Sequence, residues 1–309
     1  MNKNKYIYGP VPSRRMGLSL GISPITKDTC SYSCIYCQLG RTKNMTDEVQ
    51  EFVKINDVIS EFKKALEENI KFDVITIVGE GEPTLYSELE KLIDEIKKLT
   101  NAPLAVITNG SLLMYKSVRD ALKKVDIVLP SLDAGNKETF KKINRPHGNI
   151  KFRDVIEGLR NFSDEYKGQL WIETMIVKDV NDSEEEILSI KSILDTIKYE
   201  KVYVNTPIRP PAEEFVKEPD QNSLQRAIEI LNGISIAQLI SSGFYSNIKD
   251  DYEAIKSIIS RHPMNNFEIK SFLESRDCED VKNIFDKLNK DREINPIEYK
   301  KYITYRIKY

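Results

Sequence analysis

The chain has 309 residues, of which 40% are hydrophobic and 30% are charged, a composition that excludes disordered, collagen-like and low-complexity proteins. No apolar run approaches the roughly 20 residues of a transmembrane helix, and the first residues lead into no signal-peptide core, so we expect a cytoplasmic protein without membrane contact. The formal net charge of −2 combines a basic segment, residues 1–45 with seven bases and one acid, with an acidic remainder that does not favour polyanions.

Short β-rich runs alternate with amphipathic helical stretches from residue 17 to residue 205. The predicted strands are 17–22, 72–78, 104–107, 126–129, 170–177 and 202–205, and the predicted helices are 55–66, 86–98, 114–124, 151–163 and 183–197. This alternation indicates an α/β fold with a parallel sheet covered by helices. Six strand–helix units indicate a partial (β/α)6 TIM-like barrel, and a doubly wound open sheet is the alternative with the same periodicity.

The pattern changes after residue 205. Three prolines between 206 and 212 exclude a helix or a central strand, and a helix is predicted near 224–231. Residues 249–309 are predicted to form three short helices and a β-ribbon, which resembles a winged helix. We therefore expect a barrel domain over 1–215, a helical connection over 216–248 and a small winged-helix-like C-terminal domain over 249–309.

The cysteines give the strongest chemical signal. Cys30, Cys34 and Cys37 have the spacing Cys-x3-Cys-x2-Cys, and Cys278 stands alone. Three thiols within eight residues do not form a regular disulfide set, so a metal site is the better interpretation. They can hold three irons of a [4Fe–4S] cluster and leave the fourth iron open. A zinc site is the alternative, although structural zinc usually has four protein ligands.

With Tyr36 directly before the last cysteine, this motif resembles the cluster motif of the radical S-adenosylmethionine (radical SAM) superfamily. The resemblance covers roughly residues 8–215, and the segments 8–15 and 38–42 resemble a subfamily loosely related to the wyosine-base synthases of tRNA. It implies one [4Fe–4S] cluster on the three cysteines, S-adenosylmethionine (SAM) as a second cofactor, and an electron donor such as flavodoxin or ferredoxin.

The resemblance also implies SAM contacts at the strand ends, where barrel-like folds place their active groups. Tyr36 is expected beside the adenine, and the segment 79–83 is expected to bind the amino group. The other expected contacts follow the third and fourth strands or lie within the fifth. The complete set of expected SAM contacts is Tyr36, Gly79, Glu80, Gly81, Glu82, Asn109, Ser131, Asp133 and Glu173. Taken singly, such polar residues are also typical of ordinary turns and helix caps.

The implied reaction is reductive cleavage of SAM to methionine and a 5′-deoxyadenosyl radical, which abstracts a hydrogen atom from the substrate. RNA or tRNA modification is the first hypothesis, because of the subfamily, the basic amino-terminal segment and the alternation of Tyr302, Tyr305 and Tyr309 with four bases. Radical modification or activation of a protein, a peptide or a small metabolite is the second. A non-enzymatic iron–sulfur regulator that binds DNA is the third.

Five further residues have open roles. Arg14 and Arg15 are expected either to contact substrate phosphates or to form ion pairs that fix the amino-terminal segment. His147 is interpreted as structural or solvated, and His262 as part of a helix end. Cys278 is interpreted as incidental, because its acidic neighbours should raise its pKa.

Overall fold

A computed structural model describes residues 6–68, 70–236, 239, 243–246 and 248–308. The elements up to residue 235 are, in chain order, β1 (Ile7–Ser13), β2 (Gly17–Ile22), β3 (Thr29–Cys30), β4 (Asn44–Met45), α1 (Ile55–Glu67), β5 (Val74–Ile77), a 3-10 turn (Pro83–Leu85), α2 (Leu89–Leu99), β6 (Leu104–Thr108), α3 (Lys116–Leu122), β7 (Ile127–Pro130), α4 (Lys137–Ile143), α5 (Phe152–Glu165), β8 (Gln169–Met175), α6 (Glu184–Leu194), β9 (Lys201–Asn205), α7 (Gln221–Leu231) and β10 (Ile234–Ser235). None of the helices within the described ranges is both long and apolar enough to span a membrane.

The main sheet has eight strands in the order β1-β2-β5-β6-β7-β8-β9-β10. The seven strands from β2 to β10 run parallel, and β1 pairs with β2 in the antiparallel sense. Neighbours in the sheet follow each other along the chain, as in a barrel, whereas a doubly wound sheet reverses this order at a switch point. The predicted partial barrel is therefore confirmed, and the doubly wound alternative is excluded.

Helices cover the outer face of this sheet because their apolar residues recur at helical spacing. In α1, Ile55, Val58, Ile59 and Phe62 are all buried, and α2 buries a similar stripe. All four side chains of β5 are buried, as expected for a parallel strand with both faces covered. Each fully buried aliphatic or aromatic side chain contributes roughly 1.5–3 kcal/mol, so these stripes fix the helices on the sheet.

Among the elements longer than three residues, β1 and α4 lie outside the predicted set, as do the two-residue strands β3, β4 and β10. β1 contains Gly9, Pro10 and Pro12, residues that disfavour a central strand, but an edge strand tolerates prolines because one side makes no ladder bonds. α4 has only seven residues, too few for a clear periodic signal. Asn136 caps α4 by accepting a hydrogen bond from Thr139 N.

The last part of the chain forms α8 (Asp251–Ile259), β11 (Met264–Asn265), α9 (Asn266–Glu274), α10 (Val281–Lys290), β12 (Ile294–Tyr299) and β13 (Tyr302–Ile307). The three strands form an antiparallel sheet in the order β11-β13-β12. The order helix, strand, two helices and hairpin is that of a winged helix, as predicted. Tyr8 and Val11 of β1 belong to the apolar core of this part, so β1 packs against the winged-helix part.

Residues 206–220 have no helix or strand, as their prolines predict. This segment connects the sheet to the winged-helix part through carbonyl groups. Tyr299 donates its hydroxyl hydrogen to Pro207 O at 2.5 Å, and Arg306 Nη1 donates to Pro210 O at 3.1 Å. The winged-helix part is thereby held against the carboxyl end of β9.

Candidate active site

The three cysteines lie on one loop that follows the carboxyl end of β2, and all three are half-buried. Backbone hydrogen bonds hold this loop. Ile35 N donates to Ile143 O at 3.0 Å, and Cys37 N donates to Cys34 O at 3.1 Å. The cysteine loop is therefore fixed both within itself and against the end of α4.

Two asparagines donate to cysteine sulfurs. Asn109 Nδ2 lies 3.6 Å from Cys30 Sγ, and Asn144 Nδ2 lies 3.6 Å from Cys34 Sγ. Burial, followed by the Glu82 carboxylate, raises the pKa of the Cys30 thiol to about 12. The thiol is thus protonated until a metal displaces its proton. Hydrogen bonds to thiolate sulfur are a common feature of iron–sulfur sites.

The arrangement of donors fits a four-iron cluster better than a zinc ion. Within the described ranges, no three His, Cys, Asp or Glu side chains are grouped closely enough to hold one metal ion. A zinc ion needs all its ligands around a single centre, whereas the thiolates of a [4Fe–4S] cluster bind different irons. Cys278 packs against the core of the winged-helix part.

The turn after β5 approaches the cysteine loop very closely at Gly81. A Cβ atom at this position would lie 1.7 Å from Thr29 O, so only glycine fits. At Gly79, a Cβ atom would lie 2.1 Å from Ser23 Oγ. The absence of side chains therefore lets the turn pack against the cysteine loop.

Glu82 is buried and accepts four hydrogen bonds from its own chain. Its Oε1 accepts from Thr84 N at 3.0 Å, from Thr84 Oγ1 at 2.6 Å and from Thr108 Oγ1 at 2.6 Å, and its Oε2 accepts from Asn109 N at 2.7 Å. This carboxylate therefore ties the ends of β5 and β6 together. Glu80 has another partner, since its Oε2 lies 3.6 Å from Arg261 Nε in the winged-helix part. The expected contact of either glutamate with SAM stays a prediction.

Asp133, after β7, is the centre of a second buried network. It accepts hydrogen bonds from Tyr36 Oη at 2.5 Å, Asn144 Nδ2 at 2.7 Å and Met175 N at 2.9 Å. Burial raises the pKa of Asp133 to about 6, although these hydrogen bonds oppose the shift. The network links the cysteine loop, through Tyr36, to the ends of β7 and β8.

Ser131 and Asn109 meet near the same network. Together with Asp133 they line a small cavity of about 10 Å³, which has room for about one water molecule. Asn109 Nδ2 also donates to Ser31 Oγ at 2.9 Å, so the end of β6 is bound to the cysteine loop. The structure thus brings together the residues expected after the third and fourth strands.

A larger cavity of about 360 Å³ lies between the inner face of the sheet, the turn between β1 and β2 and the winged-helix part. Among the residues expected in the site, Tyr36, Cys37, Gly79 and Glu173 contribute to its lining. The cavity is also lined by Arg14, Arg15, Thr206, Arg209, Arg261, His262 and Glu268. Cationic side chains therefore share this space with the cysteine loop.

Glu173 pairs with Arg15 across the lumen of the barrel. Arg15 Nη1 lies 2.5 Å from Glu173 Oε2, and each side chain is 18% exposed. Asn205 Nδ2 donates to the other carboxylate oxygen at 3.0 Å. The pair fixes the β1–β2 turn on β8, which is one of the two roles expected of Arg15.

His262 and Arg209 meet at the cavity although they are 53 positions apart in the sequence. Arg209 Nη2 lies 3.3 Å from His262 Nε2, and Arg209 Nη1 lies 3.4 Å from Glu268 Oε2. His262 follows α8, as its interpretation as a helix end implies, but it reaches the cavity only because the winged-helix part docks there. His147 lies elsewhere, with its Nδ1 3.1 Å from Asp47 Oδ1.

The terminal ribbon does not form the expected surface of alternating tyrosines and bases. Tyr305 is buried and donates to Asn289 Oδ1 at 3.1 Å, so its expected availability for base stacking is wrong. Lys300 binds Glu218, and Arg306 binds proline carbonyls. Tyr302 is exposed, and Tyr309 lies outside the described residues.

Residues 25–190, more than half of the chain, match the family model of the Radical SAM superfamily. The chain is also 36% identical over 294 residues to a UPF0026 protein of Methanocaldococcus jannaschii, a match that covers 92% of this chain and 89% of that protein. The chain belongs to the UPF0026 family of the radical SAM superfamily. This UPF0026 protein is therefore a radical SAM enzyme, and its cofactors are a [4Fe–4S] cluster and SAM.

The chain is also similar to one further curated protein over part of that protein's length, and to one solved structure at low sequence identity. The UPF0026 chain is 44% identical over 225 residues to a protein named GTPase Obg of Brachyspira hyodysenteriae, but this match covers 73% of the chain and only 33% of that relative's length. The solved structure of TYW1 with a lysine-pyruvate adduct bound superposes with a TM-score of 0.51 at 17% identity, over 69% of this chain and 72% of that chain. This second similarity shows a shared fold.

Proposed function

We propose that Cys30, Cys34 and Cys37 hold the [4Fe–4S] cluster and that SAM binds beside them, at the carboxyl ends of the barrel strands. When bound, the reduced cluster supplies the electron that cleaves SAM to methionine and a 5′-deoxyadenosyl radical, which abstracts hydrogen from the substrate. The observation that carries this proposal is a single loop with three thiols, two of them accepting asparagine N–H groups, at the wall of a 360 Å³ cavity.

The chain's own residues bind and orient the reactants in this proposal. Gly79 leaves backbone accessible at the cavity wall, and Tyr36 lies in the same lining as Cys37. Ser131 and Asp133 extend the site toward the ends of β7 and β8. The cavity limits the water around the radical. An external one-electron donor, such as flavodoxin or ferredoxin, supplies the electron that each cleavage consumes.

A small metabolite is the substrate class that we favour over RNA, tRNA, protein or peptide. A cavity of about 360 Å³ lies within the range of small-molecule sites. The ribbon side chains expected to contact RNA, namely Tyr305, Lys300 and Arg306, are engaged within the chain. We further propose that the expected barrel domain (1–215) extends into the expected helical connection (216–248) as far as β10, because α7 packs on the barrel core and β10 pairs with β9. The winged-helix-like domain (249–309) covers one side of this cavity.

The cluster assignment is tested by comparing Cys34→Ser with Cys278→Ser after anaerobic reconstitution with iron and sulfide. Wild-type protein and Cys278→Ser should contain about four irons per chain and release 5′-deoxyadenosine when dithionite and SAM are added. Cys34→Ser should lose the cluster signal in electron paramagnetic resonance and more than about tenfold of 5′-deoxyadenosine formation, because removing a ligand costs more than altering its surroundings. Equal iron content in the two variants would contradict the assignment.

The substrate class is tested by adding separated cell fractions to the reconstituted enzyme. We expect the small-metabolite fraction to increase 5′-deoxyadenosine formation more than the RNA and protein fractions, as measured by mass spectrometry. A larger increase with the RNA fraction would instead support RNA or tRNA modification.

A further inference from the structure

The residues that line the large cavity come from both ends of the strands of the main sheet. Cys37 contributes from the loop that follows the carboxyl end of β2, whereas Arg14 and Arg15 lie in the turn that precedes β2. The strand β2, which runs parallel to β5, leads from this turn to the cysteine loop. The backbone of the two arginines therefore lies at the end of β2 opposite to the cysteine loop. The part of the cavity that Arg14 and Arg15 line, its arginine end, also contains Glu173, one of the residues expected to contact SAM.

Arg14 is an unpaired cation at this end. It makes no hydrogen bond or ion pair with any part of the chain that the structure describes. Arg15, in contrast, binds Glu173, and Arg209 lies 3.4 Å from Glu268. Burial and the nearby guanidinium of Arg209 lower the pKa of Arg14. Its surroundings therefore disfavour the charge that it carries.

The charges around the cavity leave an excess of positive charge. The charged lining comprises Arg14, Arg15, Arg209, Arg261, Glu173 and Glu268, and Glu80 faces Arg261 at 3.6 Å. His262 adds no charge, because burial and then Arg209 hold its pKa well below the usual value. Three of the arginines have a carboxylate partner, so the excess of one positive charge belongs to Arg14.

Arg15 Nε and His262 Nδ1 are buried donors of lining residues and have no hydrogen-bond partner within the described ranges. Arg209 can only donate, so the neighbouring Nε2 of His262 is the acceptor and Nδ1 carries the proton. These two donor atoms are almost inaccessible from the cavity, so a ligand there acts on the charge of Arg14 instead. An oxyanion would supply the countercharge to Arg14.

We propose that Arg14 is the cationic group of an oxyanion subsite that binds the carboxylate or phosphate group of the substrate. This assignment rests on the proposed function, because it gives the anionic group to the molecule on which the radical acts. A carboxylate or a phosphate is the group that a guanidinium binds best, so the substrate would be a small organic acid or a phosphorylated metabolite. Held by its anionic group at the arginine end, such a substrate presents its other end to the cysteine loop.

The subsite is tested by thermal unfolding of the reconstituted enzyme in sodium phosphate, in sodium succinate and in sodium chloride of equal ionic strength. One of the two oxyanions should raise the Tm of the wild-type protein by roughly 2–5 °C relative to chloride. Arg14→Gln should abolish this rise, and Arg14→Lys should retain part of it. The matched control is Arg153→Gln, since Arg153 is 88% exposed on α5 and pairs with its neighbour.

The Tm values in sodium chloride distinguish a binding role of Arg14 from a structural role. Without an oxyanion, Arg14→Gln should unfold at the same temperature as the wild-type protein or at a higher one, because the substitution relieves repulsion from Arg209. Equal oxyanion responses in wild type and Arg14→Gln, or no response in the wild type, would overturn the subsite. Iron content and 5′-deoxyadenosine formation by the wild type report separately on the proposed function. If the Tm rise depends on Arg14 but the protein holds no cluster and forms no 5′-deoxyadenosine, the result would support the subsite and not the proposed function.

Discussion

Asn144 serves two parts of the site with one amide group. Its Nδ2 lies 3.6 Å from Cys34 Sγ and 2.7 Å from Asp133 Oδ2. An N–H group that points at a ligating sulfur stabilises negative charge there and therefore favours the reduced cluster. Asn109 has the same relation to Cys30. These two asparagines are positioning residues that should set the reduction potential.

We expect Asn144→Leu, which removes the amide while keeping a similar volume, to make the midpoint potential of the cluster more negative. The shift should be on the order of tens of millivolts, the equivalent of one net hydrogen bond. A redox titration followed by electron paramagnetic resonance measures it. Asn149→Leu is the matched control, because Asn149 is exposed in the next loop. Identical potentials in the two variants would show that the Asn144 amide does not act on the cluster.

The separation of two residues along the chain determines whether the sequence can predict that they act together. The cysteine motif was predictable because its three residues lie within eight positions and their chemistry is distinctive. Asn144 was not predictable as a partner of Cys34, because the two are 110 positions apart and meet only through the packing of α4 against the cysteine loop. The same holds for Arg15 and Glu173.

The backbone of the turn after β5 lies in very close contact with the backbone of the cysteine loop. This contact depends on Gly81, whose missing Cβ makes room for Thr29 O. Glu82 N donates to the same carbonyl oxygen at 3.2 Å. The turn and the loop are thus one rigid unit rather than two neighbouring loops.

Gly81→Ala should separate these two segments. We expect the free energy of unfolding to fall by roughly 1–3 kcal/mol, because the backbone must move to admit the methyl group. The Tm should fall by several degrees. Calorimetry, together with the iron content after reconstitution, measures both effects. Gly148→Ala is the matched control, since a Cβ atom there meets nothing within 4 Å. Equal values of Tm for the two variants would contradict the close approach.

Periodicity predicted most elements and missed those with a weak local pattern. The stripes of α1, α9 and α10 are regular, and the structure has these helices where the sequence predicts them. β1 was missed because its prolines and glycine contradict strand propensity, which tertiary pairing with β2 overrides.

In the whole molecule, Glu213 joins three separate segments. Its carboxylate accepts two hydrogen bonds from Arg41, both at 2.8 Å, and also binds Arg145. Arg41 follows the cysteine loop, and Glu213 lies in the proline-rich segment that leads from the sheet to the winged-helix part. The Glu213 side chain is only 8% exposed. The hydrogen bond from Arg41, together with Arg145, holds the pKa of Glu213 below its usual range.

This depressed pKa predicts a loss of stability in acid. A carboxylate whose pKa is lower in the folded state stabilises the fold above its unfolded pKa, about 4.3, and loses this contribution as the pH falls further. Glu213→Gln should lower Tm by roughly 2–4 °C at pH 7, and its difference from the wild type should shrink below about pH 4. Calorimetry between pH 7 and 3.5 measures this, with exposed Glu214→Gln as control. A difference that stays constant over this range would contradict the ion-pair role.

The sequence predicted the two architectures of the molecule but not how they pack together. Strand–helix alternation indicated the barrel, and the order of helices and ribbon indicated the winged helix. Docking depends on single long-range contacts, such as Tyr299 with Pro207 and Arg209 with Glu268. No pattern within one segment predicts such contacts. For this reason the arginine end of the cavity became visible only in the structure.

The packing of β1 has a consequence for the order in which the chain can fold during synthesis. Tyr8 and Val11, near the start of the chain, complete a core whose other members come from residues 244–305. A ribosome makes β1 before residues 244–305, so one face of β1 lacks its cover until that later segment has emerged. Such distant contacts slow folding and leave apolar surface exposed to aggregation. We therefore expect the barrel to expose this apolar face of β1 before the winged-helix part is made.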